Sequence, residues 1–241
     1  GPGLMGSLLV GGSFAKSMSM ALNIPLIAIN HMKAHILAHF IAEEGYEKPT
    51  FPFIALTISG GHTQIVKVSS FFEMEIIGQT TDDAVGEAFD KSAKILGLPY
   101  PGGPLVDKFA QQGNPKAFPF TKPKMPGLDF SFSGLKSAVL NYLNSCKMKN
   151  IDIDVADVCA SFQHAVVEVL RSKAEQALVK TGYKTLVLAG GVAANSSLRA
   201  SFGHIKGIDL YFPPIQLCTD NAAMIGSAGY YASQAGHVAT L

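Results

Sequence analysis

The sequence has few charged residues and few cysteines. Of its 241 residues, 15% are charged, 48% are apolar and 24 are glycines, a composition typical of a compact α/β protein with many tight turns rather than a disordered chain or a coiled coil. The length allows one large domain or two lobes. The cysteines (Cys146, Cys159 and Cys218) are too few and too scattered for a disulfide framework or a CxxC zinc site. The simplest interpretation is a reducing, cytoplasmic setting.

The sequence also lacks a basic run and a long apolar run. The formal net charge is +1 and the basic residues are scattered, so charge alone gives no argument for nucleic acid or an anionic membrane. Lys16 and Asn23 interrupt the most hydrophobic early segment, and no membrane partner is expected. The start, from Gly1 to Met5, has no basic region typical of a signal peptide. Either Gly1-Pro2 is a cloning scar, or the chain begins partway through a longer protein.

A pair of histidines, His31 and His35, stands four residues apart in a predicted helix that runs to about Glu44. That spacing puts both imidazoles on one helix face. They can share one metal ion if a third ligand comes from elsewhere. The alternative is that both are ordinary surface or core residues.

A glycine-rich turn, Ser59-Gly60-Gly61-His62-Thr63, separates two predicted strands, 53–58 and 64–68. Paired glycines let the backbone approach a ligand closely, and successive N–H groups can form a nest for phosphate oxygens. The side chains of Ser59, His62 and Thr63 add donors. A plain hairpin with a Gly-Gly turn is the alternative.

A second glycine turn, residues 189–195, follows a predicted strand at 185–188 and precedes a predicted helix at 196–201. A strand, a Gly-Gly turn and a new helix are typical of a phosphate or adenosine site. The turn is neither a GxGxxG motif nor a P-loop. The other predicted elements are helices at 4–22 and 155–181, a helix within 80–97, a helix opened by Ser133, strands at 26–29 and 209–212, and a final helix after residue 221.

Three aspartates stand where they could serve a ligand. Asp90 falls in the middle of a predicted helix, where it is either on a solvated face or in contact with a ribose hydroxyl. Asp107 follows the rigid loop 100–104. Asp220 precedes the last helix, where it either caps the helix N-terminus or completes a His/His/Asp metal site.

These segments together resemble the bacterial TsaD family, also known as Gcp. The resemblance covers nearly the whole chain and rests on motifs in the family's order: GPGLMGSLLVG, NHMKAH, SGGHTQ, DDAVGEAFDK, YPGGPLVDKFA, DFSFSGLKSA, AGGVAANSSLR and CTDNAAMIG. It implies an α/β, actin-like ATPase (sugar kinase/Hsp70-type, ASKHA) fold of two lobes. It also implies an acyltransferase that moves threonylcarbamoyl from threonylcarbamoyl-AMP to N6 of adenosine 37 in tRNAs reading ANN codons.

The resemblance carries site residues with it. His31, His35 and Asp220 resemble the family's ligands for one divalent metal ion, Fe²⁺ or Zn²⁺. The nucleotide ligand is threonylcarbamoyl-AMP, or ATP, ADP or AMP. The residues that resemble the family's contacts to it are Thr57, Ile58, Ser59, Gly60, Gly61, Asp90, Gly103, Asp107 and Asn195. His62 belongs to the same loop and is counted with them. No residue stands out as a general base or other catalytic group.

The resemblance further implies two lobes and an assembly. Residues 1–52 with 221–241 are expected to form the remainder of the first lobe, which carries the metal-binding helix, and residues 53–220 the second lobe with the glycine-rich loops. The family's first strands are absent from this sequence, so the N-terminal part of the first lobe is expected to be missing. The expected partners are tRNA, held through the assembly, and TsaB-like and TsaE-like subunits.

Two other functions fit parts of the pattern. One is a non-catalytic adenine-nucleotide-binding subunit or fragment of the same assembly, which transfer activity on tRNA would distinguish. The other is a zinc metalloprotease, which the paired histidines suggest. A zincin needs a glutamate directly after its first histidine, whereas this sequence has Met32 and then Lys33.

Overall fold

Strand β1 (Phe53–Ile58) lies at the centre of a five-stranded sheet in the computed structural model, which describes residues 1–41, 44–123 and 125–239. The sheet order is β3-β2-β1-β4-β5. Strand β2 pairs antiparallel with β1 and with β3, whereas β4 pairs parallel with β1 and β5 pairs parallel with β4. The other strands are β2 (Thr63–Val68), β3 (Met74–Gln79), β4 (Thr185–Ala189) and β5 (Asp209–Tyr211).

The helices cover both faces of this sheet. All six residues of β1 are buried, as expected for a central strand packed on two sides. The helices are α1 (Met5–Leu22), α2 (His31–Leu37), α3 (Val85–Ile95), α4 (Gly102–Ala110), α5 (Ser133–Met148), α6 (Val155–Thr181), α7 (Ser196–Gly203), α8 (Ile215–Cys218) and α9 (Ala222–Gln234).

Alternate residues of β1 enter two separate cores. Phe53 and Ala55 pack with residues of α2 and α9 on one face. Ile54, Leu56 and Ile58 pack with α3, α5 and α6 on the other. This alternation follows from the two-residue period of a strand. The sheet therefore separates the helix with the paired histidines from the helices that follow the glycine turns.

Several predicted elements are confirmed. Helix α6 has the predicted bounds because Asp154 accepts hydrogen bonds from Ala156 N and Asp157 N at its start. Gly182, at φ 73°, ends it in a left-handed conformation that glycine adopts without strain. The helices predicted at 4–22, after Ser133 and at 196–201, and the strands at 53–58, 64–68, 185–188 and 209–212, also form, with bounds shifted by a few residues at most.

Other expectations are wrong. Residues 26–29 form no strand; Leu26 O instead accepts a single hydrogen bond from Ala239 N. Helix α2, which carries the paired histidines, ends at Leu37 and is followed by a 3-10 turn to Phe40. The prediction extended this helix to about Glu44; residues 42–43 lie outside the described residues. The sequence analysis also missed β3, in which residues 75 and 76 are exposed, so that its apolar pattern is weak.

Helix α1 carries its apolar side chains at the surface of the described structure. Leu9 is 61% exposed, Phe14 67% and Met20 72%. No helix within the described residues is long and apolar enough to cross a membrane. Helices α2 and α9 lie on the same sheet as the glycine turns; the division into two lobes stays a prediction.

Candidate functional site

The paired histidines open helix α2. The side chain of Asn30 accepts hydrogen bonds from Met32 N and Lys33 N, which fixes the helix start at His31. Helix α2 packs against β1, β4 and α9. Because α9 follows Asp220 in the chain, this packing brings the aspartate to the two imidazoles.

The three side chains converge on one point. Asp220 Oδ1 lies 3.1 Å from His35 Nε2 and 3.3 Å from His31 Nε2. The imidazole centroids are 4.8 Å apart with planes at 87°. Ligands on a tetrahedral ion with bonds of about 2.0–2.1 Å lie about 3.3 Å from one another. The two separations from Asp220 fit one ion, and the ligand atoms of all three residues, here named the triad, lie within 4.8 Å of one another.

The triad differs in exposure from one member to the next. His35 is 1% exposed, whereas the side chain of Asp220 is 76% exposed. Burial, and then the nearby His31, lower the pKa of His35, although Asp220 opposes the shift. The neutral imidazole that binds metals is thus the favoured form at neutral pH. His35 Nδ1 has no hydrogen-bond partner among the described residues.

The donor set fits a divalent metal. Two imidazoles and one carboxylate suit iron or zinc, and three protein ligands leave coordination positions open. The triad is accessible to solvent because the side chain of Asp220 is 76% exposed. Within the described part of the chain, no other group of three or more histidine, cysteine or acidic side chains converges in this way.

Asp220 does not cap α9. The neighbouring Asn221 is the N-cap, and its side chain accepts a hydrogen bond from Met224 N at 2.9 Å. The expectation of a capping role for Asp220 is wrong because the helix begins one residue later than that role requires. The carboxylate of Asp220 contacts His31 and His35 instead.

A cavity of about 430 Å³ adjoins the triad, a size typical of small-molecule sites. Thr219 lines it, and the next residue in the chain is Asp220. The cavity therefore reaches the chain segment that carries the carboxylate of the triad. Its lining comes from both glycine turns, α3, the region around the start of α4, and the link between α8 and α9: Gly60, Gly86, Phe89, Asp90, Pro101, Gly103, Pro104, Asp107, Gly191, Val192, Ala194, Asn195 and Thr219.

The first glycine turn is held close to α3. Ser59 N donates to His62 O at 2.8 Å, and Gly86 N donates to Ser59 O at 3.2 Å. A Cβ atom at Gly86 would lie 2.7 Å from Ser59 O and 2.8 Å from Gly60 Cα. Only glycine fits there, so the absence of a side chain at Gly86 places the turn at the cavity wall.

The second glycine turn approaches β1 equally closely. Gly190 has φ 91°, and a Cβ atom there would lie 2.5 Å from Ile58 O. The turn then continues as a 3-10 helix, Gly191–Ala194, directly along the cavity. The two glycine turns thus form adjacent parts of one wall.

Asp90 orients the loop before α4. Its Oδ1 accepts hydrogen bonds from Gly102 N at 2.8 Å and Gly103 N at 3.3 Å. These bonds satisfy two amides at the helix start that have no partner within the helix. Among the described residues, Oδ2 of Asp90 accepts no hydrogen bond that would keep it from a ligand.

Asp107 and Asn195 are joined by a glutamine that the sequence analysis missed. Gln163 of α6, 3% exposed, donates to Asp107 Oδ1 at 3.1 Å and accepts from Asn195 Nδ2 at 2.7 Å. Ser196 adds bonds from its N and Oγ to Asp107 at 3.0 and 2.7 Å. Asn195 Oδ1 also caps α7 through Leu198 N. This network holds α4, α6 and α7 around the cavity.

The residues predicted from the sequence are partly brought together. Gly60, Asp90, Gly103, Asp107 and Asn195 line the cavity. The remaining five are in or beside the adjoining strand and turn: Thr57, Ile58, Ser59, Gly61 and His62. Thr57 and Ile58 are fully buried in β1, and Thr57 Oγ1 has no partner among the described residues. Their contacts to a ligand stay predictions.

Several cavity residues were not foreseen as site residues. Gly86, Phe89 and Thr219 line the cavity, and Gln163 supports it. Gly86 lies in DDAVGEAFDK and Thr219 in CTDNAAMIG. The sequence could have indicated both residues, because Gly86 is a glycine inside a helical pattern and Thr219 is next to Asp220. Gln163 lies on the buried face of a long helix, where the sequence gives no sign of its partners.

The fold is that of two solved HypF structures. The T. kodakarensis HypF structure matches 92% of this chain and 39% of its own, with a TM-score of 0.67 and 15% identity. A full-length HypF in the phosphate- and nucleotide-bound form matches 90% and 37%, with a TM-score of 0.66 and 15% identity. The chain therefore has the mixed α/β, actin-like (ASKHA) fold that was expected.

Sequence comparison then gives the family. Residues 1–227 match the model of TsaD, tRNA N6-adenosine threonylcarbamoyltransferase. The enzyme of that name from Christiangramia forsetii is 60% identical over 238 residues, 96% of this chain and 70% of its own length. Those from Cytophaga hutchinsonii and Clostridioides difficile are 54% and 53% identical and are covered over 68% and 69%. The chain belongs to the TsaD family, a family of acyltransferases that act on tRNA.

Family membership bears on the alternatives. The relatives are named as transferases, which favours neither a metalloprotease nor a non-catalytic subunit. The metalloprotease also lacks its glutamate, since Met32 follows His31. The expectation of threonylcarbamoyl transfer to tRNA is confirmed at the level of the family.

Proposed function

We propose that this chain transfers the threonylcarbamoyl group of threonylcarbamoyl-AMP to N6 of adenosine 37 in tRNAs that read ANN codons. The observation that carries the proposal is the junction of two sites at Thr219 and Asp220. One residue lines a cavity of nucleotide size, and the next contacts both histidines of the triad. A ligand with a nucleotide at one end and an acyl group at the other can occupy both.

The cavity suits the adenylate part of that ligand. The glycine turns at 60–61 and 190–191 expose backbone to a ligand without side chains in between, and amides of such turns bind phosphate oxygens. Asp90 and Asp107 offer carboxylate oxygens to ribose hydroxyls, while Phe89 and Val192 supply apolar surface to a base. ATP, ADP and AMP share these features, so each is a candidate ligand.

The triad suits a resident Fe²⁺ or Zn²⁺ held by His31, His35 and Asp220. Such an ion, when bound, supplies Lewis-acid polarisation of a carbonyl oxygen. The chain's own residues bind and orient the ligand. The glycine turns hold the AMP leaving group, and the acyl end then lies beside the triad because Thr219 and Asp220 are consecutive residues. Holding both ends of the ligand orients the acyl carbon for attack by an incoming amine. No general base is assigned.

The tRNA requires partners. Neutralising many phosphates needs a surface rich in lysine and arginine, but the net charge here is only +1. We therefore propose that TsaB-like and TsaE-like subunits contribute most of the tRNA contacts, in the cytoplasm. Filter binding of tRNA to this chain alone should be weak; tight binding that falls steeply with salt would contradict this part of the proposal.

The proposal is tested by transfer itself. The protein, with TsaB-like and TsaE-like subunits, is incubated with threonylcarbamoyl-AMP and an unmodified tRNA transcript that reads an ANN codon. Digestion and mass spectrometry should detect N6-threonylcarbamoyladenosine at position 37. The same transcript with guanosine at that position is the control. Absence of product, with all three proteins folded and the adenylate intact, would overturn the proposed activity.

A further inference from the structure

Arg199 of helix α7 joins three chain segments at the back of the cavity. Its Nε donates to Ala193 O at 2.8 Å, and its Nη2 donates to Pro213 O at 2.7 Å and lies 3.5 Å from Cys218 Sγ. The guanidinium also stacks over Phe212, 4.9 Å from the ring centroid. Ala193, Pro213 and Cys218 are all buried.

The first of these segments is the cavity wall. Ala193 belongs to the 3-10 helix of the second glycine turn, whose neighbours Val192 and Ala194 line the cavity. A bond to the Ala193 carbonyl therefore fixes the wall on which a nucleotide would lie. Asn195 N, in turn, donates to Val192 O, so the turn is rigid up to the start of α7.

The second and third segments lead to the triad. Pro213 and Cys218 bracket the short helix α8, and Cys218 is followed by Thr219 and Asp220. Thr219 and Asp220 are themselves exposed, so little packing holds them directly. The bonds from Arg199 anchor the backbone on the N-terminal side of the metal-binding carboxylate.

An arginine is specifically suited to this position. Its guanidinium donates in several fixed directions within one plane, and its flat face stacks on an aromatic ring. A lysine ammonium can make the charge contact but cannot hold carbonyls of two segments and stack on Phe212 at once.

We infer that Arg199 is a positioning residue that holds the nucleotide-facing turn and the metal-binding Asp220 in one geometry, so that a single side chain supports both ligand sites. The inference rests on the proposed metal and nucleotide sites. It assigns Arg199 no contact with either ligand: its role is exerted through the carbonyls of Ala193 and Pro213 and through Cys218.

The experiment compares R199M, R199K and R171M with the parent protein. Arg171 is the other arginine of the sequence. It bonds Glu175 and Ser201 O, neither of which lines the cavity, so it is the matched control. Two probes are titrated separately into each protein: Co²⁺ alone, followed by its visible absorption, and ADP, followed by calorimetry. Thermal unfolding without ligands establishes that each variant is folded.

R199M is expected to bind Co²⁺ about 10- to 100-fold more weakly, as for other residues that support a metal ligand. Its Co²⁺ spectrum should also change, because Asp220 is displaced. ADP should bind about tenfold more weakly, since the wall at Ala193 is released. R199K should lie between R199M and the parent for both probes, and R171M should stay within about twofold of the parent.

The outcomes separate the inference from the function on which it rests. If folded R199M binds Co²⁺ and ADP within about twofold of the parent, with the parental spectrum, Arg199 has only a structural role and the inference is overturned. If R199M does not fold, R199K decides the question by the same two titrations. If the parent itself binds neither probe, the proposed metal and nucleotide sites fail first and the inference falls with them.

Discussion

The triad and the cavity lie side by side but are built in opposite ways. In the cavity, Asp90 and Asp107 are already bonded to backbone amides and side chains of neighbouring helices. In the triad, His31, His35 and Asp220 mainly face one another. The polar groups of the cavity therefore stabilise the fold and are also available to a ligand. Those of the triad contribute little to the stability of the fold.

This difference predicts two kinds of mutational response. Substitutions in the cavity should lower the free energy of unfolding and ligand affinity together. Substitutions in the triad should abolish metal binding and leave the fold almost unchanged, with buried His35 as the partial exception. The predictions below test that contrast.

The largest effect is expected for loss of a triad ligand. H35A should weaken Zn²⁺ or Co²⁺ binding by more than about 100-fold, beyond the range seen when only a supporting residue is removed. The buried Nε2 atom is lost and no other described side chain replaces it. Metal titration by calorimetry is the measurement. The control is H164A, which removes a histidine at the surface beside Glu168; equal loss in both variants would contradict the triad.

The next effect concerns acid stability on the triad side of the sheet. His39 is fully buried and donates from Nε2 to Leu188 O at 2.6 Å, while Tyr46 OH donates to its Nδ1. Burial lowers the pKa of His39 from 6.5 to about 4. Below pH 6.5 the unfolded chain takes up a proton that the folded chain does not, so the free energy of unfolding falls as pH decreases toward 4.

Over that whole window the loss from His39 is about 3 kcal/mol. H39Q should therefore show a shallower decline in the free energy of unfolding than the parent, measured by urea denaturation at successive pH values in metal-free buffer. His35 titrates in both proteins and cancels in the difference. Parallel pH profiles for the two proteins would show that His39 is not held neutral.

A cavity carboxylate should matter for stability more than the triad carboxylate. D107N places an amide among three donors, from Gln163 and Ser196, and should cost about 1.5–3 kcal/mol. D220N alters an exposed side chain and should change the free energy of unfolding by less than about 0.5 kcal/mol. Urea denaturation of both variants without metal is the measurement. Equal destabilisation would remove the contrast between the sites.

A destabilisation somewhat smaller than that of D107N is expected at the close approach of the first glycine turn. G86A puts a Cβ atom against the backbone of Ser59 and Gly60, so the turn must move, at a cost of about 1–3 kcal/mol. G61A is the control, because a Cβ atom there meets nothing within 4 Å. ADP affinity should fall for G86A and not for G61A. An unchanged affinity in both would separate the turn from the nucleotide.

The sequence predicted the parts of the fold with strong local signals. Helix α6 was placed correctly because its amphipathic pattern ends at Gly182, and β1 because it is apolar except for Thr57. Strand β3 was missed because its exposed residues dilute the pattern. The segment 26–29 was apolar enough for a strand but finds no neighbouring strand to pair with in the described structure.

The site was predictable in its residue types and not in its connections. The spacing of His31 and His35 pointed to a metal, and the structure brings Asp220 to them. Nothing in the sequence shows that Gln163 bridges Asp107 and Asn195, because α6 approaches both only through tertiary packing. Long-range contacts of this kind depend on the whole fold and leave no local pattern.

The central claim is that one ligand spans the cavity and the triad. Its most direct test is the visible spectrum of the Co²⁺-loaded protein, titrated with AMP and then with a non-hydrolysable analogue of threonylcarbamoyl-AMP. Both should bind, but only the analogue should change the Co²⁺ spectrum, because only its acyl end extends past Thr219 to Asp220. A spectrum that stays unchanged while the analogue saturates the protein would contradict the claim.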